Sequence, residues 1–359
     1  MHIYIKYIFS VYSSRLLYIG LTFSSLIFIM NILEEVKFFS NTQEIGIGYP
    51  ILLTILNLPS ILFEIFPFII LISTQFFFIK FQDNNEILIF KNNGITNLKI
   101  IFYICFLVFL FGIILITIFH TISSKMKSNY LQFKNTYTED NKYLAVVNEN
   151  GLWIKDKLNN EIMIIHAENI EKNLLKDLVI TTYDNEFNSK INIIAEEANI
   201  KNKIWEIKNV NLIDSTGKSE DISNFHFETN FDYLRINSLF SNLESLNIFE
   251  LLKQKKDFES IGLNISDINL YLHKLFSLPI SLMIFCLLSS VLMLNISLNK
   301  SKTFLLIIGI LISVIIYYIF YFFGLLATNN KIPAYWAIWF PNLILFLSCM
   351  VGIVNINEK

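Results

Sequence analysis

Hydrophobic and polar positions along this chain follow two regimes. Long uninterrupted apolar blocks fill both ends, and a stretch of ordinary polarity with short alternating runs lies between them. A helix crosses the hydrocarbon core of a bilayer with about 20 consecutive apolar residues. Three such blocks precede the middle stretch: Leu16–Leu33, Ile51–Ile79 and Leu98–Phe119. Three follow it: Leu275–Leu298, Phe304–Ala327 and Ile332–Val354. The pattern predicts a membrane α-helical protein with six transmembrane helices, three plus three, around an inserted domain. The halves read as 1–124 and 271–359, and the insert as 125–270. Pro59 and Pro67 inside the second block free backbone carbonyls and predict a kink there.

In the insert the period shortens. Tyr143–Val147, Leu152–Lys155, Glu161–His166, Leu178–Tyr183, Lys190–Ala195 and Lys203–Leu212 read as strands, rich in Ile, Val, Tyr and Trp. Gly151, Asp156–Asn160, Asp184–Asn185 and Ser215–Gly217 are turn signals between them. No helical blocks alternate with these runs, so the domain reads as all-β: a sandwich, a jelly roll or an open barrel. From Ser238 the pattern turns helical, with amphipathic segments at Ile248–Lys256 and Ile265–Lys274 leading back to the membrane. Asn247 and Glu250 form a helix-start signal. Lys253, Lys255 and Lys256 suit a solvated face or lipid headgroups.

Composition adds direction. Hydrophobic residues make up 54% of the 359, the mean hydropathy is +0.52, and the net charge of −2 points to no nucleic-acid partner. Short loops rich in Lys and Arg stay in the cytoplasm. Lys6 and Arg15, then Lys80, Lys91 and Lys99, then Lys300 and Lys302 mark one side. The alternate loops carry only Lys37, among Glu34, Glu35 and Glu44, and Lys331. Both termini are therefore expected inside and the β domain outside. Tyr335, Trp336 and Trp339 fit an interfacial aromatic belt. Cys105, Cys286 and Cys349 all lie in apolar blocks, so the outer domain is held by its core and not by disulfides. The first block is long enough to span and precedes no small-residue cleavage site, which predicts an anchor and not a removable signal.

Signatures of chemistry are few. The chain has no phosphate-binding glycine loop, no GxSxG elbow and no HExxH, and its five histidines show no ligand spacing. No catalytic residue, metal or cofactor is expected. Two polar features stand out near the membrane. Glu64 lies in the second block, facing either a protein-lined cavity or water at the outer half of its helix. The loop around 83–95 reads as a short amphipathic helix. Asp83 would cap it with Glu86 at the third position, Ile87, Leu88 and Phe90 would form its apolar face, and Gly94 would end it. Such a helix either lies along the inner leaflet or couples to a cytosolic motor.

The order of these features resembles the LptF/LptG permeases, the membrane subunits of the lipopolysaccharide export ABC transporter. The loop from Asn85 to Ile95 is similar to that family's coupling helix. Gly151-Leu-Trp153-Ile-Lys155-Asp156 is similar to the strand opening its periplasmic β-jellyroll, and leans towards the LptG branch. Lys203-Ile-Trp205, Leu270–Pro279, Ile332-Pro333 and Trp339-Phe-Pro341-Asn342 resemble later segments. The resemblance implies a jellyroll-like periplasmic domain and an inner-membrane permease, not an enzyme, that extracts lipopolysaccharide and hands it to a periplasmic bridge. It implies a paralogous LptF-like permease, a cytosolic LptB-like ATPase dimer and a single-span LptC-like protein as partners. Glu86, Leu88, Phe90 and Gly94 would couple to the ATPase, with Glu86 meeting a basic residue. Lys37, Lys125 and Lys127 would face lipid phosphates, although the acidic end of the first span, Glu34-Glu35, departs from the family's basic pattern. A lipoprotein-releasing or MacB-like permease is the alternative transporter, but it has one span before its outer domain. A membrane enzyme acting on lipid would need a grouping of His, Asp or Ser that this sequence lacks.

Overall fold

The computed structural model describes residues 3–39, 46, 48–137, 144–148, 151–158, 161–171, 173–184, 189–215, 217–233, 236, 242–260, 264–295 and 302–357. Helices α1 (Ile3–Phe39), α2 (Gly48–Asp83), α3 (Glu86–Asn92) and α4 (Asn97–Ile114) come first, and a π-helical turn, Leu115–Phe119, joins α4 to α5 (His120–Tyr137). Seven strands follow among the described residues, then α6 (Ile248–Ser260), α7 (Ser266–Asn295), α8 (Lys302–Thr328) and α9 (Ala334–Asn357). Among the described residues six helical stretches are long and apolar enough to cross a membrane, with Asn97–Lys134 counting as one. The chain divides into a helical unit, Met1–Tyr130 with Asn269–Lys359, and a β unit, Leu131–Ile268.

The spans are longer than their apolar centres. At 1.5 Å per residue the 37-residue α1 is about 55 Å long, against about 30 Å of hydrocarbon. Hydropathy marks only the part that meets lipid tails, while the backbone stays helical beyond it. The expected amphipathic segment Ile265–Lys274 is for the same reason the first turns of α7 and not a separate element. Helix α2 runs on through Pro59 and Pro67. Lys300 and Glu44 lie outside the described residues.

Apolar side chains gain little from one another in lipid, so close packing and hydrogen bonds between helices hold a bundle together. Gly112 on α4 lies against α7: a Cβ there would stand 2.6 Å from the Cα of Pro279. Gln75 of α2 donates to the Leu305 carbonyl of α8 at 3.1 Å, beside Gly309. Ser289 of α7 donates to the Leu71 carbonyl at 2.9 Å, and Asn295 to the Gly352 carbonyl of α9 at 2.8 Å. Gly112→Val should therefore push α4 from α7 at a cost of about 1–3 kcal/mol. The expected readout is a detergent-purified protein that loses its monodisperse peak several degrees earlier on heating. Gly20→Val, at a site with nothing within 4 Å of a Cβ, should change nothing.

The β unit is one antiparallel sheet in sequential order, β1 (Leu144–Asn148), β2 (Gly151–Leu158), β3 (Glu161–Glu171), β4 (Leu174–Tyr183), β5 (Ser189–Asn199), β6 (Ile204–Asp214) and β7 (Ser219–Glu228). Its inward face is Leu152, Ile154, Ile165, Leu178, Ile180, Ile193 and Val210, all buried. Strands of period two keep one face inward only while the period holds. Here it slips along a line across the sheet. The ladder skips Asp177 on β4, Glu196 on β5 and Asn209 on β6, and Asp177 and Asn209 adopt left-handed backbone, φ 53° and 52°. Beyond the slip the inward residues resume one position out of phase, as Ile170, Leu175, Ala198, Trp205 and Ile207. The skipped residues oppose one another, so the register is kept and the change of phase runs across the strands together as a crease, with buried apolar residues on both sides of it. Gly151 opens β2 at φ 110°, where a Cβ would collide with the Ala167 carbonyl of β3.

Beyond β7 the chain is strapped back. Trp205 donates from its buried indole to the Phe231 carbonyl at 2.8 Å, and the Tyr233 amide donates to the Ile200 carbonyl at 2.8 Å. Asp156, fully buried, accepts from Thr229 Oγ1 at 2.6 Å, the Asn230 amide at 2.9 Å and Asn230 Nδ2 at 3.0 Å. The aspartate of the Gly151–Asp156 motif is thus the anchor of this strap. Trp153 of the same motif points outward, its ring 4.1 Å from His166.

Candidate functional site

The loop between the second and third spans holds a polar site in the helical unit. Asp83 does not cap the short helix as its spacing suggested. It is the last residue of α2 and pairs with Lys302 at the start of α8. The chain instead reverses through Asn85 in left-handed backbone, φ 54°, with no side-chain cap, and α3 begins directly at Glu86. The expected capping box fails because α2 stays helical up to Asp83, which leaves no free first turn beside it.

The end of α3 does follow its sequence signal. Gly94, at φ 75°, donates to the Lys91 carbonyl at 3.0 Å, and Ile95 donates to the Phe90 carbonyl at 2.9 Å. This pair of bonds closes a helix whose next residue is left-handed, the conformation glycine takes most cheaply. Thr96 then caps α4, its hydroxyl accepting from the Lys99 amide.

The four residues expected to act together divide between two faces of α3. Glu86 and Phe90, one turn apart, face the bundle. Glu86 is buried and accepts from Tyr7 Oη of α1 at 2.9 Å and from Asn84 Nδ2 at 2.8 Å, while its Oε2 has no hydrogen-bond partner among the described residues. The Phe90 ring stacks on Phe81 of α2, with centroids 5.6 Å apart and planes within 1°. On the other face Leu88 is 59% and Ile89 56% exposed. The apolar face expected from Ile87, Leu88 and Phe90 is therefore split: Phe90 fastens the helix and Leu88 is presented outward. Tyr7 carried no signal in the sequence, because it lies 79 positions from the carboxylate it meets.

The three lysines expected at the lipid end differ in setting. Lys37, in the last turn of α1, and Lys125 of α5 are exposed. Lys127 turns into the bundle, donating to Asn57 Oδ1 at 2.7 Å and lying 5.1 Å from the Tyr130 ring centroid. Tyr130 donates to the buried Glu35 at 2.8 Å, and Asn57 Nδ2 to Asn31 at 3.4 Å. Lys127 thus belongs to a polar network joining α1, α2 and α5, and Glu35 is inside that network and not on a surface. Glu64 lies 16 residues before Lys80, about 24 Å along α2. It forms an ion pair at 3.2 Å with Lys274 of α7, both about half exposed.

The family model described as lipopolysaccharide export system permease LptF/LptG matches residues 6–354, nearly the whole chain. No curated protein matches it.

Proposed function

The chain belongs to the LptF/LptG family of lipopolysaccharide export permeases, and from that membership we propose that it is the transmembrane subunit of an ABC exporter driven through α3. As a multi-pass protein of the inner membrane it would keep both termini and α3 in the cytoplasm and the β unit in the periplasm. It would pair with a paralogous permease, and a cytosolic ATPase dimer would supply the energy. Lipopolysaccharide taken from the membrane would pass to a periplasmic bridge with the help of a single-span LptC-like partner.

The observation that carries the ATPase contact is the two-faced build of α3. A lever needs one face fastened to what it moves and another free for what moves it. Glu86 and Phe90 fasten α3 to α1 and α2, and Leu88 and Ile89 are left outward. A basic side chain of the motor would meet Glu86 at Oε2, which is buried and has no hydrogen-bond partner among the described residues. Lys37 and Lys125 are the exposed candidates for lipid phosphates, and Lys127 would act through its place in the network.

Affinity purification of the tagged chain from native membranes tests the proposal. The expected result is a stable complex with an ATPase and a second permease of the same build, whose ATP hydrolysis responds to lipopolysaccharide. Recovery of the chain alone, active on lipid without nucleotide, would overturn it in favour of an enzyme.

A further inference from the structure

A cavity of about 370 Å³ lies inside the helical unit among α2, α7, α8 and α9. Its lining is graded. Glu64, Lys274 and Thr328 lie at one end. Phe68, Phe285 and Phe320 lie further along the same helices, in each case towards the end of the bundle that carries α3. Lys274 and Phe285 are 11 residues apart on α7, about 16 Å along its axis. The ion pair at the mouth stands about 24 Å along α2 from Lys80, near the far boundary of about 30 Å of hydrocarbon.

We propose that this cavity binds one acyl chain of a zwitterionic glycerophospholipid, with the headgroup phosphate on Lys274 and its ammonium on Glu64. The volume is about that of a single acyl chain, less than the several chains of a lipid A occupy together. The depth runs from a charged mouth at the membrane boundary to an aromatic floor within the hydrocarbon, as a lipid of that leaflet runs. The mouth supplies selectivity. A carboxylate and an ammonium 3.2 Å apart form a short dipole that a phosphate–ammonium headgroup meets in antiparallel order. An anionic headgroup without an ammonium would gain Lys274 and be repelled by Glu64. Both side chains are about half exposed, so they remain accessible to a headgroup. This inference rests on the membrane placement of the helices and not on export.

The test uses the full chain in lipid nanodiscs holding a phosphatidylethanolamine or a phosphatidylglycerol with a photoreactive group at its acyl terminus. Phosphatidylethanolamine is expected to label the segments around Phe285 and Phe320 about fivefold more than phosphatidylglycerol. Glu64→Lys should reverse the preference. Gly324→Trp should abolish labelling, since Gly324 lines the cavity and has room for a Cβ, its nearest neighbour being 3.7 Å away. If that variant does not fold, the headgroup preference of the unaltered chain and its loss in Glu64→Gln decide alone. Equal labelling by the two lipids would overturn the proposal, as would labelling that persists in a folded Gly324→Trp chain. Displacement by equimolar lipopolysaccharide would also overturn it, by assigning the cavity to the exported lipid. None of these outcomes involves an ATPase, so the export reading stands or falls separately.

Discussion

Glu86→Ala is expected to lower ATP-driven lipid release from the reconstituted complex by about tenfold to a hundredfold, at 1.4 kcal/mol per decade. The variant removes two hydrogen bonds to a buried carboxylate, from Tyr7 and Asn84. Bonds to charged groups contribute about 1.5–3 kcal/mol each. Tyr7 and Asn84 are exposed enough to reach water, so the net loss is closer to one such bond than to two. The loss falls on the docking of α3 and not on the fold of the bundle, so the amount of protein in the membrane should hold. Glu86→Gln, which keeps an Oε1 acceptor for Tyr7 but loses the charge offered to the motor, should keep α3 docked and still lower release. Leu88→Asp should lose as much as Glu86→Ala by another route, because it charges the outward face while α3 stays docked. Hydrogen exchange separates the two: protection across residues 86–95 should fall in Glu86→Ala and persist in Leu88→Asp. Full lipid release by the Glu86→Ala complex would remove α3 from its proposed role.

The second large effect is expected in the β unit. Asp156→Ala leaves the buried Thr229 hydroxyl and two donors of the half-buried Asn230 without the acceptor they share. A buried donor left without its acceptor costs about 1–3 kcal/mol, a large part of the 5–15 kcal/mol that holds an ordinary domain together. The strap from Thr229 to Tyr233 should then leave the sheet, exposing Trp205, which it covers through Phe231. Limited proteolysis of the full chain should cut near residue 230, and tryptophan emission should shift to the red. Asp156→Asn should keep most of the protection, since its amide oxygen still accepts and the Asn230 amide can turn over to meet its NH2. The exposed pair Lys190–Glu161, at 2.6 Å, is a contrast on the same sheet. Its removal should leave protease resistance unchanged, because solvent screens an exposed pair. Unchanged protease resistance in Asp156→Ala would show that the strap does not close the core.

How far the sequence can be read depends on where a residue's partners lie along the chain. The strands show this within one domain. Glu161–His166 and Lys190–Ala195 were legible only as far as the crease, and Leu178–Tyr183 only from it, whereas the strands run from Glu161 to Glu171, from Ser189 to Asn199 and from Leu174 to Tyr183. Alternation is a local signal, and it breaks at the crease although the strand continues. Strand β7 escaped notice because nearly all its residues are exposed, so no face of it carries an apolar pattern.

The six spans and the turn at Gly94 were determined by the sequence itself. Hydrocarbon demands some 20 contiguous apolar residues, and a left-handed residue after a helix favours glycine; both conditions are met within one stretch of chain. Only the tertiary structure decided that Glu86 faces α1 while Leu88 faces out, and that Lys127 and Glu35 lie within the bundle. The same holds for the pairing of Glu64 with Lys274, 210 positions apart. The helical unit brings together helices from the two ends of the chain, and no local pattern records which polar groups then meet.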